Sequence, residues 1–315
     1  HDKGMYHALI EARIPFDMVN DRLLGAGELE NYKLLILPNV AALSDSQCDQ
    51  LRQFVEKGGS IMATFETSLY DENGDQREDF GLADLFGVSY AGKVEGPMKN
   101  SYLKINPETG SSIYSPVLKD LEDAFRIING IYRVEVEPEE DFPSPVTLIP
   151  SYPDLPMEHV YPLQPDTDIR ELYLRESGKG RVAYIPWDID RTFWNIMAAD
   201  HGKLLRNVFN WALNENPVVE VKGKGILDIT TWEQERSITV HLVNFTNPMM
   251  MKGPFRELLP VGEQVVKINL PPDKDVEKVK LLVSGNEPDY TISGSTAEFT
   301  VRSILDHEVI ALDLS

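Results

Sequence analysis

Two short apolar runs, Leu34-Leu-Ile-Leu37 and Ser60-Ile-Met-Ala-Thr-Phe65, constrain this chain more than any other feature. The first is apolar at every position and stops at Pro38-Asn39. A strand sends alternate side chains to opposite faces, so such a run needs cover on both. The segment between the runs reads as a helix. Ser44 and Gln47 make a capping box, Cys48, Leu51, Phe54 and Val55 form an apolar stripe, and Gly58-Gly59 supplies the stop. Strand, helix and strand with short connections form a right-handed parallel unit. The expected fold class is α/β, with a doubly wound, mainly parallel sheet.

Further elements extend that unit. Met5 to Ile14 has helical spacing and ends at Pro15, and Phe16 to Val19 reads as a short strand. Asp79 to Phe86 reads as a short helix, Tyr102–Ile105 and Tyr132–Val136 as strands, and Leu118–Phe125 as a helix. From Ser144 to Thr167 six prolines imply an extended, ordered loop. Glu171–Arg175 and Arg181–Ile185 form a β-hairpin, followed by a loop, Pro186 to Trp194, and a helix opening near Asp200. After Asn214-Glu-Asn-Pro217 the pattern changes to short alternating runs separated by Gly, Pro and Asn: residues 219–221, 226–231, 237–245, 264–270, 279–283 and 308–314. That is an all-β sandwich, with His241–Phe245 in a central strand. The expected domains are 1–216 and 217–315. A doubly wound domain normally opens with a strand, whereas this chain opens with a helix, so a missing first strand and a longer parent polypeptide are expected.

The 315 residues suit about two domains. A formal charge of −21, from 51 acidic against 30 basic residues, argues against nucleic acid or an anionic membrane as partner. No run approaches the about 18 apolar residues of a membrane span, and the start has no signal-peptide pattern. The single cysteine, Cys48, excludes an internal disulfide and a multi-cysteine metal site.

In open α/β sheets a site is expected beyond the carboxyl ends of strands, here Phe65-Glu66-Thr67 and Trp187 to Trp194. Cysteine-triad amidotransferases place a nucleophile on the first of these elbows and a His-Pro-Glu run after the later strand. This chain has a similar skeleton, with Phe65, Glu66 and Thr67 at the elbow and Pro186-Trp187-Asp188 at the second position. Cys48 lies on the preceding helix, so no nucleophile stands beside a base. The loop carboxylates Glu66, Asp71, Glu158, Asp188 and Asp190 could serve glycoside hydrolysis only as a pair about 5–9.5 Å apart. Their alternative roles are caps, turns and partners for Arg77 and Arg191, with Asp200 as a helix N-cap. The six histidines lack metal-ligand spacing, Met249-Met-Met251 reads as an apolar turn or contact, and Gly178-Lys-Gly180 is a hairpin turn without phosphate-loop spacing. No metal or other cofactor is expected. The loop aromatics Tyr152, Tyr161, Trp187, Phe193 and Trp194 suit an interface or a sugar face, or packing within the chain.

Residues 58–74 and Asp79-Phe-Gly-Leu-Ala-Asp-Leu-Phe-Gly87 resemble the β-galactosidase trimerisation domain, a class I glutamine-amidotransferase-like (flavodoxin-like) fold without the triad. Tyr152 to Tyr161 and Gly180 to Trp211 resemble a variant that follows a glycosidase barrel in bacterial proteins related to α-L-fucosidases and trimeric β-galactosidases. The resemblance covers about residues 4–214, and more loosely the β tail. It implies a parent glycoside hydrolase whose catalytic carboxylates sit on an upstream (β/α)₈ barrel, so no catalytic residue carries over to this stretch. The implied role is oligomerisation as a trimer or dimer and packing on the barrel. A bacterial cytoplasmic location is favoured over a periplasmic or secreted one. Glu66, Tyr152, Glu158, His159, Trp187, Asp188, Asp190, Arg191 and Trp194 are the candidate contact or sugar-site residues, with Trp187, Asp190, Arg191 and Trp194 expected to point outward. The alternatives are a self-contained hydrolase using Glu66 with Asp188 or Glu158, and a carbohydrate-binding module stacking sugar on Trp187 and Trp194.

Overall fold

The computed structural model describes residues 1–20, 22, 24, 28–107, 115–143, 145–215, 217–247 and 256–315; the Met249–Met251 run lies outside them. Two compact units divide the chain, His1–Ala8 with Val19–Asn214, and Leu9–Met18 with Glu215–Ser315. Leu9–Met18, counted with the α/β domain on sequence, thus groups with the second unit.

The chain opens with helix α1 (Asp2–Ala12). In the first unit follow β1 (Leu34–Leu37), α2 (Asp45–Glu56), β2 (Ser60–Thr64), α3 (Ala83–Phe86), β3 (Val88–Glu95) and β4 (Tyr102–Ile105). Then come β5 (Arg126–Ile128), β6 (Arg133–Pro138), β7 (Val146–Ile149), β8 (Tyr173–Ser177), β9 (Gly180–Ile185), α4 (Ile189–Ile196) and α5 (Ala199–Leu213). The principal sheet has the order β1-β2-β9-β8, with β1, β2 and β9 parallel and β8 antiparallel to β9. Strand β2 is buried at all five positions. Its Ile61 and Ala63 share a core with Cys48, Leu51 and Val55 of α2 and with Val182 and Tyr184 of β9. Each large apolar side chain fully buried there stabilises the fold by roughly 1.5–3 kcal/mol. The opposite face is covered from the other side. Thr64 donates to Asp190 of α4 at 2.9 Å, and Arg181 donates to the Trp211 carbonyl of α5 at 2.8 Å. The capping box of α2 is complete, with Gln47 N–H on Ser44 Oγ at 3.2 Å and Ser44 N–H on Gln47 Oε1 at 2.9 Å.

Between β2 and β8 the chain builds two small sheets, a β3–β6 ribbon and the three-stranded β5-β4-β7. Several sequence expectations change here and nearby. Phe16–Val19 is not a strand: α1 ends at Arg13 with φ 59°, and the residues after it pair with no ladder. The helix expected over Leu118–Phe125 does not form: a 3-10 turn, Ser115–Leu118, ends where it would begin, hydrogen-bonded turns follow, with Leu121 N–H on the Leu118 carbonyl and Ala124 N–H on the Leu121 carbonyl, and β5 then starts at Arg126, its Ile127 buried opposite Leu103. The loop expected after Ile185 becomes helical at Ile189. Asp200 lies in the first turn of α5, whose N-cap is Ala198, so it favours the helix through its charge near the positive end rather than as the cap.

The second unit is a sandwich of two four-stranded antiparallel sheets. Its strands are β10 (Val219–Gly223), β11 (Leu227–Gln234), β12 (Ser237–Asn244), β13 (Gln264–Asn269), β14 (Val276–Leu281), β15 (Asp289–Ser293), β16 (Thr296–Val301) and β17 (His307–Leu314). The sheet orders are β10-β13-β16-β15 and β11-β12-β17-β14, so β12 is central as expected. β15 and β16 escaped the sequence reading: β15 is exposed at every residue and has no buried alternation, whereas β16 does alternate, with Ala297, Phe299 and Val301 buried. Leu227, Ile229, Val240, Leu242, Val266, Ile268, Phe299, Ile310 and Leu312 fill the space between the sheets.

Arg13 clasps one end of this sandwich. Its guanidinium donates to the carbonyls of Val221, Gly223, Lys224 and Gly225 at 3.3, 3.1, 3.2 and 2.8 Å, and to Gln264 Oε1 at 2.9 Å. Arg13→Ala would leave these acceptors to solvent or without partners. It is expected to cost about 1–3 kcal/mol, read as a lower urea midpoint for the β-sheet signal at unchanged m-value.

Candidate functional site at the strand ends

The carboxyl ends of β2 and β9 meet where a parallel sheet places its site. Phe65 leaves β2 with φ 54°, a conformation uncommon for a side chain of this size. Three hydrogen bonds hold it there. Phe65 N–H donates to the Ile185 carbonyl at 2.8 Å, Tyr184 O–H to the Phe65 carbonyl at 2.6 Å, and Thr67 O–H to the Thr64 carbonyl at 2.7 Å. The chain therefore makes a rigid, sharp elbow whose tip bears an aromatic ring.

Across from it, residues 131–134 are zipped to 186–188. Val134 N–H donates to the Pro186 carbonyl at 2.8 Å and Asp188 N–H to the Tyr132 carbonyl at 3.1 Å. Asp188 is fully buried and saturated. It accepts from the amides of Ile131 (2.9 Å) and Tyr132 (3.1 Å), from Thr192 O–H (3.3 Å) and from Arg191 Nε (2.8 Å) and Nη2. Asp190 is buried as well. It accepts from Thr64 O–H at 2.9 Å and the Arg191 amide at 2.8 Å, and lies 2.6 Å from His1 Nδ1. Burial raises the Asp190 pKa, against the opposing hydrogen bonds. The His1 ring stacks on Phe65 at 5.7 Å, and the Arg191 guanidinium lies over Tyr132 at 4.7 Å and Phe65 at 5.9 Å.

Two residues expected to point outward do not. Trp187 is fully buried, its indole N–H donating to the Glu171 carbonyl at 3.1 Å, and Asp190 is equally enclosed. The reason is local: the chain turns straight from β9 into α4, so Trp187 and the first turn of α4 are core, not loop tip. Arg191 and Trp194 are half-buried. The Trp194 ring is stacked on His7 at 4.7 Å, with Lys3 Nζ 5.7 Å from its centroid. Glu66 remains half-exposed beside the elbow. Its pKa is raised by desolvation, with the Tyr70 O–H 3.5 Å away and Arg191 opposing the shift. Tyr152, Glu158 and His159 belong elsewhere, on the proline-rich loop beside the β5-β4-β7 sheet. Tyr152 stacks on Tyr102 at 6.3 Å, and Glu158 and His159 are exposed in a 3-10 turn. The nine candidates thus split into a cluster at the β2 and β9 ends and a separate loop.

A buried ion pair underlies the strand ends and was not read from sequence, since its members are 38 residues apart. Arg133 Nε donates to Glu171 Oε1 at 2.6 Å, and Arg133 Nη1 to Glu95 Oε2 at 3.3 Å. Glu171 Oε2 has no partner, and burial pushes the carboxyl up to about 7 despite Arg133. An open cleft of about 700 Å³, lined by Leu29, Tyr32, Gln53, Phe54 and Lys57, lies at the amino ends of β1 and β2, away from these groups.

The strand ends thus hold a fixed elbow and two buried carboxylates, each hydrogen-bonded to several donors. Residues 3–101 match the family model of the β-galactosidase trimerisation domain. A 68-residue stretch is 29% identical to a β-galactosidase of Alicyclobacillus acidocaldarius, covering 22% of this chain and 9% of that enzyme. The whole chain superposes on α-L-fucosidase isoenzyme 2 from Paenibacillus thiaminolyticus with TM-score 0.74 at 19% identity, and 98% of it on the β-galactosidase of Bacillus circulans sp. alkalophilus with TM-score 0.60 at 13% identity. At these identities the likeness is one of fold. The chain spans 45% of that fucosidase and 36% of that galactosidase.

Two outcomes test the site. Asp188→Ala strands Arg191 and two amides, and is expected to destabilise the protein by about 3 kcal/mol or more in chemical denaturation. The folded-state pKa of Glu171 lies above its ordinary value of 4.5, so its proton stabilises the fold. That contribution is complete below about pH 4.5 and is lost as pH rises through about 7. The melting temperature of the wild type relative to Glu171→Gln is expected to fall across that window, and a flat difference would exclude the effect.

Proposed function

We propose that this chain is the non-catalytic C-terminal portion of a glycoside hydrolase, which assembles into a trimer or dimer and packs on an upstream catalytic (β/α)₈ barrel. The observation behind this reading is the trimerisation-domain match over residues 3–101, joined to strand ends that hold Phe65 and Glu66 where an amidotransferase-like domain would hold its thiol. The full-length superposition on less than half of two glycosidases supports a larger parent protein. On this reading the first unit is a flavodoxin-like, doubly wound domain of the class I glutamine-amidotransferase type whose triad has degenerated. Pro186-Trp187-Asp188 stands in for His-Pro-Glu, and Asp188 has become a structural tie.

A tied, buried carboxylate cannot move a proton to substrate, and saturation by two amides, a hydroxyl and Arg191 leaves Asp188 no free lone pair aimed at solvent. Glu66 is half-exposed, but the other accessible loop carboxylates do not make with it the pair that glycoside hydrolysis uses: Asp71 is spent on the Asn73 and Asp75 amides of its own turn, and Glu158 lies on the separate proline-rich loop. The half-exposed faces of Glu66, Arg191 and Trp194, with the separate Tyr152–His159 loop, are then contact surfaces toward a barrel or a neighbouring subunit.

Size-exclusion chromatography with light scattering is expected to give a dimer or trimer mass at micromolar concentration, and the purified chain is expected to leave nitrophenyl β-galactoside and α-L-fucoside unhydrolysed. A strict monomer that also fails to bind a separately produced glycosidase barrel would overturn the assembly reading. Hydrolysis abolished by Glu66→Gln would overturn the non-catalytic one.

A further inference from the structure

The four tryptophans of the chain have different fates. Trp187 and Trp211 are buried, Trp194 is half-covered by His7 and Lys3, and Trp232 is 66% exposed. Trp232 is not on a loop tip. It lies on β11, in a ladder that runs without a bulge from Leu227 opposite Asn244 to Gln234 opposite Ser237. A ring held on a regular ladder has its plane and position set by the sheet.

Its surroundings point to a kind of ligand. Side chains of the two strands alternate, with Leu227, Ile229, Val240 and Leu242 inside the sandwich. Asp228, Thr230, Trp232 and Gln234 of β11 and Ser237, Thr239, His241 and Val243 of β12 therefore share the outward face. Thr239 is directly opposite Trp232, and His241 opposite Thr230. Gln234 accepts from Ser237 O–H at 3.1 Å. Around the ring, then, stand three hydroxyls, a carboxamide and an imidazole, with no second large apolar group among them. A lipid surface would find one indole in a polar field, whereas the patches it binds are contiguous and apolar. A flat ligand with one apolar face and a rim of hydroxyls fits both parts. Charged side chains ring this patch: Asp228 at the far end of β11, Glu233, Glu235 and Arg236 at the hairpin turn, and Asp313 of β17 opposite Ser237. With a net charge of −21 on the chain, this excess of carboxylates repels an anionic ligand and leaves a neutral polyol the better fit.

We propose that the outward face of the β11–β12 hairpin binds a neutral oligosaccharide, with Trp232 as the stacking surface and Thr230, Thr239 and His241 as hydrogen-bonding partners. This moves sugar contact from the strand-end tryptophans, of which Trp187 is buried and Trp194 is half-covered by His7 and Lys3, to the β unit. It stands apart from the oligomerisation reading, since a monomer or an oligomer could present this face equally well.

The test uses the intact chain and three probes, β-1,4-galactotetraose, cellotetraose and xylotetraose, each titrated by calorimetry and by tryptophan fluorescence. Saturable binding to at least one is expected, with a fluorescence change, and Trp232→Ala should weaken it at least about tenfold while leaving the circular dichroism melt unchanged. Trp232→Phe should retain part of the affinity, and Trp194→Phe all of it. Three results would each overturn the proposal: no saturable binding to any probe, binding unchanged in Trp232→Ala, or a drop in oligomer mass in Trp232→Ala, which would make the face a subunit contact.

Discussion

Buried carboxylates need partners, and that requirement organises the carboxyl end of the α/β sheet. Asp188 and Asp190 are two residues apart, both enclosed, and each gathers donors from segments distant in the chain. Through Asp188 the backbone at Ile131 and Tyr132 is fastened to the start of α4. Through Asp190 the end of β2 is fastened to the same helix. An unpaired carboxylate at either place would cost several kcal/mol, so the strand ends, the elbow and α4 hold one arrangement together. Glu171 and Arg133 repeat the pattern beneath them, less completely, with one carboxylate oxygen left bare.

This arrangement bears directly on function. Catalytic groups need a free lone pair or a transferable proton within reach of substrate, whereas these side chains are spent on the fold. The sharp elbow at Phe65 buries its ring against His1 and Arg191 and ties the Glu66 amide to Asn39 Oδ1 at 3.2 Å. A domain of this kind serves best by offering surfaces of fixed shape, which accords with its likeness to trimerisation domains. The sandwich offers a different surface, the outward face of the β11–β12 hairpin, which bears the most exposed indole of the chain.

Much of this was legible in the residues. The runs at 34–37 and 60–65 gave strands that are paired in parallel, and the Ser44–Gln47 capping box is present atom for atom. Alternation in residues 219–245 gave the sandwich. What failed did so for identifiable reasons. Strand β15 is exposed on both faces and has no periodic signature, and in Leu118–Phe125 the spacing of Leu118 and Leu121, both buried, serves consecutive turns as well as a helix, while Phe125 is exposed. The loop reading of Trp187–Trp194 was misled by charged and aromatic residues that usually mark exposed turns.

Local pattern and composition by themselves determined most of the element types, the α/β-then-β order, an elbow motif without a nucleophile beside a base, and a strongly acidic balance. These follow from periodicity, steric preference and charge, which act over a few residues. Only the tertiary structure decided which polar groups are spent and which are free: that Trp187 is core, that Asp188 is a tie, that Arg133 meets Glu171, and that Trp232 faces water. Burial and hydrogen-bond saturation depend on segments that may lie dozens of residues apart, and only folding brings those segments into contact.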